Sequence, residues 1–218
     1  MPEDFYPHLW KWPSSCVSHS QGLIVTHGSL GERAIQQQLG TEDRAQRFYD
    51  RQLQGQLSDR MTQLIREQEM VFVATADANG NCDCSPRFGL PGFVRVLDSG
   101  TLAYPEYRGN GVFASLGNMH ENPHAGLVFL DFFRTTVGLH VNGTAMIYLP
   151  VELPAAWAEA LSATLKPGGL EIHCWVVISV DEAYIHCSKH VPKLEKQPKP
   201  ISWGTDDPVA KSDGFFLE

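Results

Sequence analysis

The sequence has few basic residues and does not concentrate them anywhere. Its 218 residues carry 17 lysines and arginines against 25 aspartates and glutamates, which gives a formal net charge of -8. A nucleic-acid or anionic-membrane binder needs a basic face, so the composition argues against both partners. A ligand with one phosphate group is still compatible, because a few local cations and backbone amides suffice to bind it.

Long apolar runs and an export signal are also missing. The chain opens with the acidic stretch Met1-Pro2-Glu3-Asp4, and the longest apolar stretches, 126–130 and 175–180, are too short to span a bilayer. The five cysteines are odd in number. Without an export signal they favour reduced thiols, and we therefore expect a cytoplasmic protein.

Familiar catalytic and metal-binding motifs are absent. The sequence contains no Gly-x-Ser-x-Gly, no His-Glu-x-x-His, no Walker loop and no Gly-x-Gly-x-x-Gly dinucleotide fingerprint. The pairs Cys82-x-Cys84, His173-Cys174 and His186-Cys187 lack the spacing of structural zinc sites, so we expect no metal. The absence of a nucleophile–base pair is typical of a protein whose cofactor carries the chemistry.

The N-terminal part of the sequence predicts a peripheral arm. Residues 1–28 are rich in aromatics and proline, and 30–39 and 44–53 have weak helical patterns. Residues 58–68 predict a clearer amphipathic helix with Ser58 as its cap. We therefore expect an arm with short helices over 1–57, a folded domain over 58–190 and an extended tail over 191–218.

The remaining pattern predicts short antiparallel strands with a helix inserted midway. The helix covers about 112–120, with Phe113, Leu116 and Met119 on its buried face, and another helix starts at Pro154. This order predicts a mostly β (α+β) fold of the small closed-barrel type, whose solid interior leaves a ligand only an outer cleft or a subunit interface. The expected strands cover 71–75, 82–87, 93–97, 101–104, 124–132, 137–148, 171–180 and 183–187.

A series of short blocks between residues 83 and 189 then follows a recognisable order. They are Ser-Pro-Arg at 85–87, Pro-Gly-Phe-Val-Arg-Val-Leu-Asp at 91–98, Thr-Leu-Ala-Tyr-Pro at 101–105, Arg-Gly-Asn-Gly at 108–111, Ser-Leu-Gly-Asn at 115–118, Glu-Asn-Pro at 121–123, Gly-Leu-Val-Phe-Leu-Asp-Phe at 126–132, Val-Asn-Gly at 141–143 and Ala-Tyr-Ile-His-Cys-Ser-Lys at 183–189. Over roughly 60–190 the chain resembles the pyridoxamine 5′-phosphate oxidase-like FMN-binding family.

The resemblance implies an antiparallel split β-barrel that forms a homodimer with FMN between the subunits. It does not imply oxidation of vitamin B6. The residues that it suggests for flavin binding are Ser85, Arg87, Tyr104, Pro105, Arg108, Gly109, Asn110, Ser115, Arg134 and Lys189. Among these, Arg87 and then Arg108 are the cations expected to meet the FMN phosphate.

Several of these residues also have a simpler interpretation. Arg108 could be a solvated charge, and Gly109-Asn110-Gly111 a plain turn before a helix. For Arg134 we favour an exposed hairpin slightly over a contact with the isoalloxazine edge, and Lys189 could simply begin the basic tail. Asn142-Gly143 resembles a hairpin turn, but its apolar flanks and the family pattern favour a bulge inside a strand.

These observations favour an FMN-dependent oxidoreductase that acts on a small molecule. The sequence specifies neither the substrate, the electron donor nor a catalytic residue, and it assigns no function to the N-terminal arm. The alternative is a non-catalytic flavin or haem binder or carrier with the same fold. An all-β protein without a cofactor is the third possibility.

Overall fold

The computed structural model describes residues 27–109, 111–162, 170–199 and 201. The predicted irregular arm before residue 27, Asn110 and most of the predicted tail lie outside the described residues. The chain divides into two compact units, the first ending at Gln46 and the second beginning at Arg47. The strands and the side chains discussed below belong to the second unit.

The helices follow the sequence pattern closely. Their bounds are α1 Leu30–Leu39, α2 Glu42–Arg51, α3 Asp59–Glu67, α4 Ala114–Glu121 and α5 Ala155–Ser162. The predicted cap of α3 is confirmed, because the Ser58 hydroxyl accepts a hydrogen bond from the amide of Met61. Met61, Leu64 and Ile65 form the buried face of α3, as their spacing indicates.

The buried face predicted for α4 is only partly right. Met119 is buried, but Phe113 precedes the helix in a left-handed conformation (φ 52°) and is 42% exposed. Because α4 begins at Ala114, two residues later than predicted, Ser115 rather than Phe113 lies on the buried side of the first turn.

The strands form one antiparallel sheet. Its order is β2-β1-β5-β6-β7-β4-β3, which confirms the mostly β class and the split-barrel architecture. The expectation of a closed barrel is wrong, because β2 and β3 are the two edges of the sheet and do not pair with each other. The strand bounds are β1 Met70–Ala76, β2 Cys82–Phe88, β3 Arg95–Asp98, β4 Thr101–Tyr107, β5 His124–Leu130, β6 Gly138–Tyr148 and β7 Ile172–His186.

Alternation along the strands separates two apolar clusters. Leu102 and Tyr104 of β4 belong to the main core, together with Val176 and Ile178 of β7. The intervening residues Ala103, Trp175 and Val177 face the opposite side, where Leu161 of α5 covers them. This explains why β7 is buried on both faces over 174–178. The described residues include no helix long and apolar enough to cross a membrane.

A bulge makes one long strand from the two that the sequence predicts at the end of the domain. Asn142 pairs with Glu182 and Gly143 with Val180, so Asp181 is the extra residue of β7. The prediction that Asn142-Gly143 lies inside a strand is confirmed, but the extra residue of the bulge is on the facing strand, at Asp181, and not in this pair. A Cβ on Gly143 would lie 2.2 Å from the backbone oxygen of Ser179, so only glycine fits at this position beside β7.

We predict that Gly143→Ala destabilises the protein by about 1–3 kcal/mol, because the contact with Ser179 involves backbone that cannot rotate away. The matched control is Gly117→Ala in α4, where an added Cβ meets nothing within 4 Å. Higher helix propensity should make that variant as stable as the parent or slightly more so. Urea unfolding measures both, and equal midpoints for the two variants would contradict the prediction.

Candidate functional site

The edge strand β2 presents polar side chains to the inside of the split barrel. Asp83, Ser85 and Arg87 are partly buried, whereas the alternate residues, Cys82, Cys84, Pro86 and Phe88, are exposed. An inward face of this composition cannot join the apolar core without losing hydration. We call this partly buried polar face of β2, with the groups that contact it, the polar cleft; two of the predicted site residues, Ser85 and Arg87, share that face.

An ion pair crosses this cleft. Arg87 Nε lies 2.8 Å from Glu106 Oε2, with the two side chains only 18% and 14% exposed. Glu106 belongs to β4, and four strands separate β4 from β2 in the sheet order. A charge-assisted hydrogen bond thus connects two strands that share no backbone pairing.

Helix α4 forms another wall of the cleft. The Ser115 hydroxyl donates to Asp83 Oδ2 at 2.9 Å, and the side-chain amide of Asn118 donates to Thr75 Oγ1 at 3.0 Å. At the far end of α4, the Glu121 carboxylate accepts from the amide of Ala78 in the β1–β2 turn. Since these contacts run towards the turn, the N-terminus of α4 faces the opposite end of β2, where Arg87 lies.

The N-terminus of α4 has no side-chain cap. The first amides and the positive end of the helix dipole therefore favour a nearby anion, and the Asp83 carboxylate already contacts the first turn through the Ser115 hydroxyl. Gly111, with φ 81°, leads into this turn. The arrangement favours an anionic group between the start of α4 and Arg87.

A buried hydroxyl without a partner lies close to the ion pair. Tyr104 is fully buried, and its hydroxyl makes no hydrogen bond with the described residues. Burial raises the pKa of Tyr104. The charge of Arg87 opposes this shift, and the charge of Glu106 adds to it. An unsatisfied buried hydroxyl costs about 1–3 kcal/mol. Such a group beside a cleft is a candidate donor to a ligand.

Cys174 lies opposite Glu106 on β7. Burial, reinforced by the Glu106 carboxylate, raises the pKa of its thiol to about 11. The thiol is therefore protonated at neutral pH and is a poor nucleophile.

The other predicted site residues lie elsewhere. Pro105 is buried on the opposite face of β4 from Tyr104, and Arg108 and Gly109 are exposed just beyond the end of that strand. Arg134 forms an ion pair with Glu67 and lines a separate cavity. Lys189 is exposed in a short 3-10 helix, Ser188–His190, after β7. Asn110 lies outside the described residues.

Two positions of the polar cleft were not predicted from the sequence, Asp83 and Glu106. Asp83 accepts hydrogen bonds from both Ser85 and Ser115 and so fixes the two hydroxyls. The period of two could have identified them, since Asp83 lies on the same face of β2 as Ser85, and Glu106 on the same face of β4 as Tyr104. Among the described residues, no three histidine, cysteine, aspartate or glutamate side chains come together as a metal site.

Comparison with known proteins gives a family match. The model of the family described as pyridoxamine 5′-phosphate oxidase matches residues 57–187, more than half of the chain. No curated protein matches the chain significantly.

Solved structures of other proteins match part of this chain at low sequence identity. HupZ from Group A Streptococcus is 24% identical, with 58% of this chain and 91% of that chain covered and a TM-score of 0.44. An FMN-binding protein from Syntrophomonas wolfei is 11% identical (72% and 97% covered, TM-score 0.43). HutZ, the haem storage protein from Vibrio cholerae, is 10% identical (59% and 94% covered, TM-score 0.38).

We predict that the ion pair across the cleft has a larger coupling free energy than a surface ion pair. A double-mutant cycle with Arg87→Met and Glu106→Gln should give a coupling free energy of about 1–3 kcal/mol, because the pair is mostly buried. The control cycle uses Arg134 and Glu67, whose side chains are 61% and 33% exposed. It should give less than about 1 kcal/mol. Equal coupling in both cycles, measured by urea unfolding, would refute this ranking.

Proposed function

Because the chain belongs to the pyridoxamine 5′-phosphate oxidase family, we propose that it binds FMN in the polar cleft and acts as an oxidoreductase on a small organic substrate. The observation that carries this proposal is the Arg87 guanidinium, which Glu106 holds beside the cleft on the side that the N-terminus of α4 faces. Both features suit the phosphate group of FMN.

The hydrogen-bonding capacity of Arg87 supports a phosphate ligand. Its Nε donates to Glu106 and its Nη1 to the carbonyl of Pro86, at 3.3 Å. Its Nη2 donates to no described residue. The carboxylate therefore fixes the guanidinium while part of its donor edge stays available, as bidentate phosphate recognition requires.

The amides at the start of α4 and the Tyr104 hydroxyl would complete the flavin site. The amides offer donors to a monophosphate, and the Tyr104 hydroxyl would gain the partner that it lacks. When bound, FMN supplies the electron-transfer chemistry. The carboxylates of the cleft, Asp83 and Glu106, are already engaged in hydrogen bonds. For this reason we assign binding and orienting roles to the protein side chains and name no catalytic residue.

We predict that the cofactor released by heating runs as FMN in chromatography. Arg87→Ala should weaken flavin binding about ten- to a hundredfold, because a charge-assisted contact is lost. Arg108→Ala should have a smaller effect because Arg108 is exposed, and Arg134→Ala, remote from the cleft, serves as the control. Fluorescence titration measures all three. Released FAD, or equal small effects of the Arg87 and Arg108 substitutions, would contradict this site.

The redox behaviour of the purified protein distinguishes an enzyme from a non-catalytic binder. We predict a yellow protein that bleaches with NAD(P)H and regains its colour in air, as an FMN-dependent oxidoreductase would. A flavin spectrum that reduced nicotinamides leave unchanged would favour a carrier. A Soret band in place of the flavin bands would show a haem protein instead.

We also propose that the protein is a homodimer in which each flavin lies between subunits. The interior of the split barrel is filled by apolar side chains from α3, α4 and the strands. The polar cleft at the open edge of the barrel therefore cannot enclose a ligand as large as FMN by itself, and a second chain could supply the other wall. Lys189 is a candidate for a positive charge at that wall, contributed by its own chain or by the neighbouring one.

We predict that light scattering of the purified protein gives the mass of a dimer at all accessible concentrations. An obligate pair of this kind should bury roughly 2,000 Å² or more. A stable monomer that still holds FMN tightly would contradict both the dimer and the shared flavin site.

A further inference from the structure

A large cavity lies on the opposite side of β2 from the polar cleft. Its volume is about 1030 Å³. Phe88, which lines it, follows Arg87 directly in β2, so the side chains of the two residues face opposite sides of the strand. The walls come from the end of α3, the start of β1, the loop after β2, the β5–β6 turn and the tail after β7.

The cavity has an apolar lining. Met70, Phe88, Leu90, Leu130 and Phe133 contribute to it. Phe88 and Phe133 are 48% and 42% exposed, although large aromatic side chains gain free energy when they leave water. Exposed aromatics in a concave site favour an apolar group as ligand.

Two of the four cations that line the cavity form ion pairs, and the other two do not. Arg134 pairs with Glu67, and Lys196 pairs with Glu69. The other two cations of the lining, Arg66 and Lys199, have no ionic partner among the described residues. The cavity therefore carries unpaired positive charge.

The third carboxylate of the lining, Asp131, forms no ion pair with Arg66 or Lys199 among the described residues, and the four cations and three carboxylates of the lining leave a net charge of +1. Burial raises its pKa, but hydrogen bonds from the Thr135 hydroxyl and from the amides of the turn outweigh burial and lower the pKa to about 2. Asp131 is thus ionised at neutral pH, with its oxygens already occupied by the amides of residues 133–135 and the Thr135 hydroxyl.

The chain itself holds the tail against this cavity. The amide of Leu194 donates to the carbonyl of Phe132 at 2.8 Å, and the ammonium of Lys196 contacts the carboxylate of Glu69. Lys199, three residues after Lys196, lines the cavity. One of the two unpaired cations therefore comes from the tail and the other from α3.

We infer that this cavity is a second ligand site, separate from the proposed flavin cleft, and that it takes an amphipathic organic anion. The ligand would place a ring or short alkyl chain against the aromatic lining and a carboxylate or phosphate between Arg66 and Lys199. Because the cavity lies on the other face of β2 and its lining does not include Arg87, it does not require flavin to be bound.

Equilibrium dialysis with 1-naphthyl phosphate and uncharged 1-naphthol tests this inference, on flavin-free protein and on protein saturated with FMN. The phosphate should bind in both states, and the naphthol about tenfold or more weakly. Arg66→Gln and Lys199→Gln should each weaken binding of the phosphate about two- to fivefold, as expected for exposed charges. Leu90→Trp should weaken binding of both compounds by filling the cavity.

Matched controls exist on the same two segments. Arg60 of α3 and Lys193 of the tail are exposed and do not line the cavity, so Arg60→Gln and Lys193→Gln should leave binding unchanged. If Arg60→Gln and Lys193→Gln weakened binding as much as the substitutions in the cavity, the effect would come from overall charge, and the proposed site would be overturned. Equal affinity for phosphate and naphthol, or no binding of either, would also overturn it.

Competition with FMN separates this inference from the proposed function. If FMN displaces 1-naphthyl phosphate, the flavin occupies the cavity and the separate site is refuted. If the protein binds no FMN but still binds 1-naphthyl phosphate with the expected effects of Arg66 and Lys199, the cavity site stands and the flavin proposal fails.

Discussion

The ion pair between Arg87 and Glu106 spans a gap that backbone hydrogen bonds do not close. The sheet runs from β2 to β3 without pairing its two edges, and this side-chain contact links β2 directly to β4. A fully apolar contact could also hold the strands together, but it would fill the space between them. A charged pair keeps the gap polar and fixes a guanidinium there, so the same contact links the two strands and prepares a site for an anion.

The alternation of side chains on β2 also explains why the molecule offers two different binding environments. Residues 83, 85 and 87 present carboxylate, hydroxyl and guanidinium groups to the cleft. Phe88 instead contributes an aromatic ring to the cavity on the other side. In a strand buried on both faces both sets would be apolar, as over 174–178 of β7. The edge position of β2 permits polarity on one face and partial exposure on the other.

Local patterns were sufficient to predict most elements, because caps and periodicity act over a few residues. Ser58 and the apolar spacing of α3 are examples. The split barrel was predicted from the ordered sequence blocks that resemble the family. The sequence could not predict that Glu106 meets Arg87, because their proximity depends on how four intervening strands curve. Nor could it predict the cavity, since Arg66 and Lys199 are far apart in the chain. Asp181 was missed because the two strands that it joins have a polar stretch between them, which resembles a turn.

The bulge at Asp181 coincides with a change of partner along the outer edge of β7. Up to Ser179 that edge pairs with β4, whereas beyond the bulge Ala183 exchanges two backbone hydrogen bonds with Gln54, at 2.7 and 2.9 Å. Gln54 lies in the connection between α2 and α3. A long strand that outruns its neighbour ordinarily leaves unpaired amides that can recruit a strand from another molecule. Here a piece of the connecting segment occupies that position at Ala183, so the fold protects this part of β7 against edge-to-edge aggregation without an additional strand.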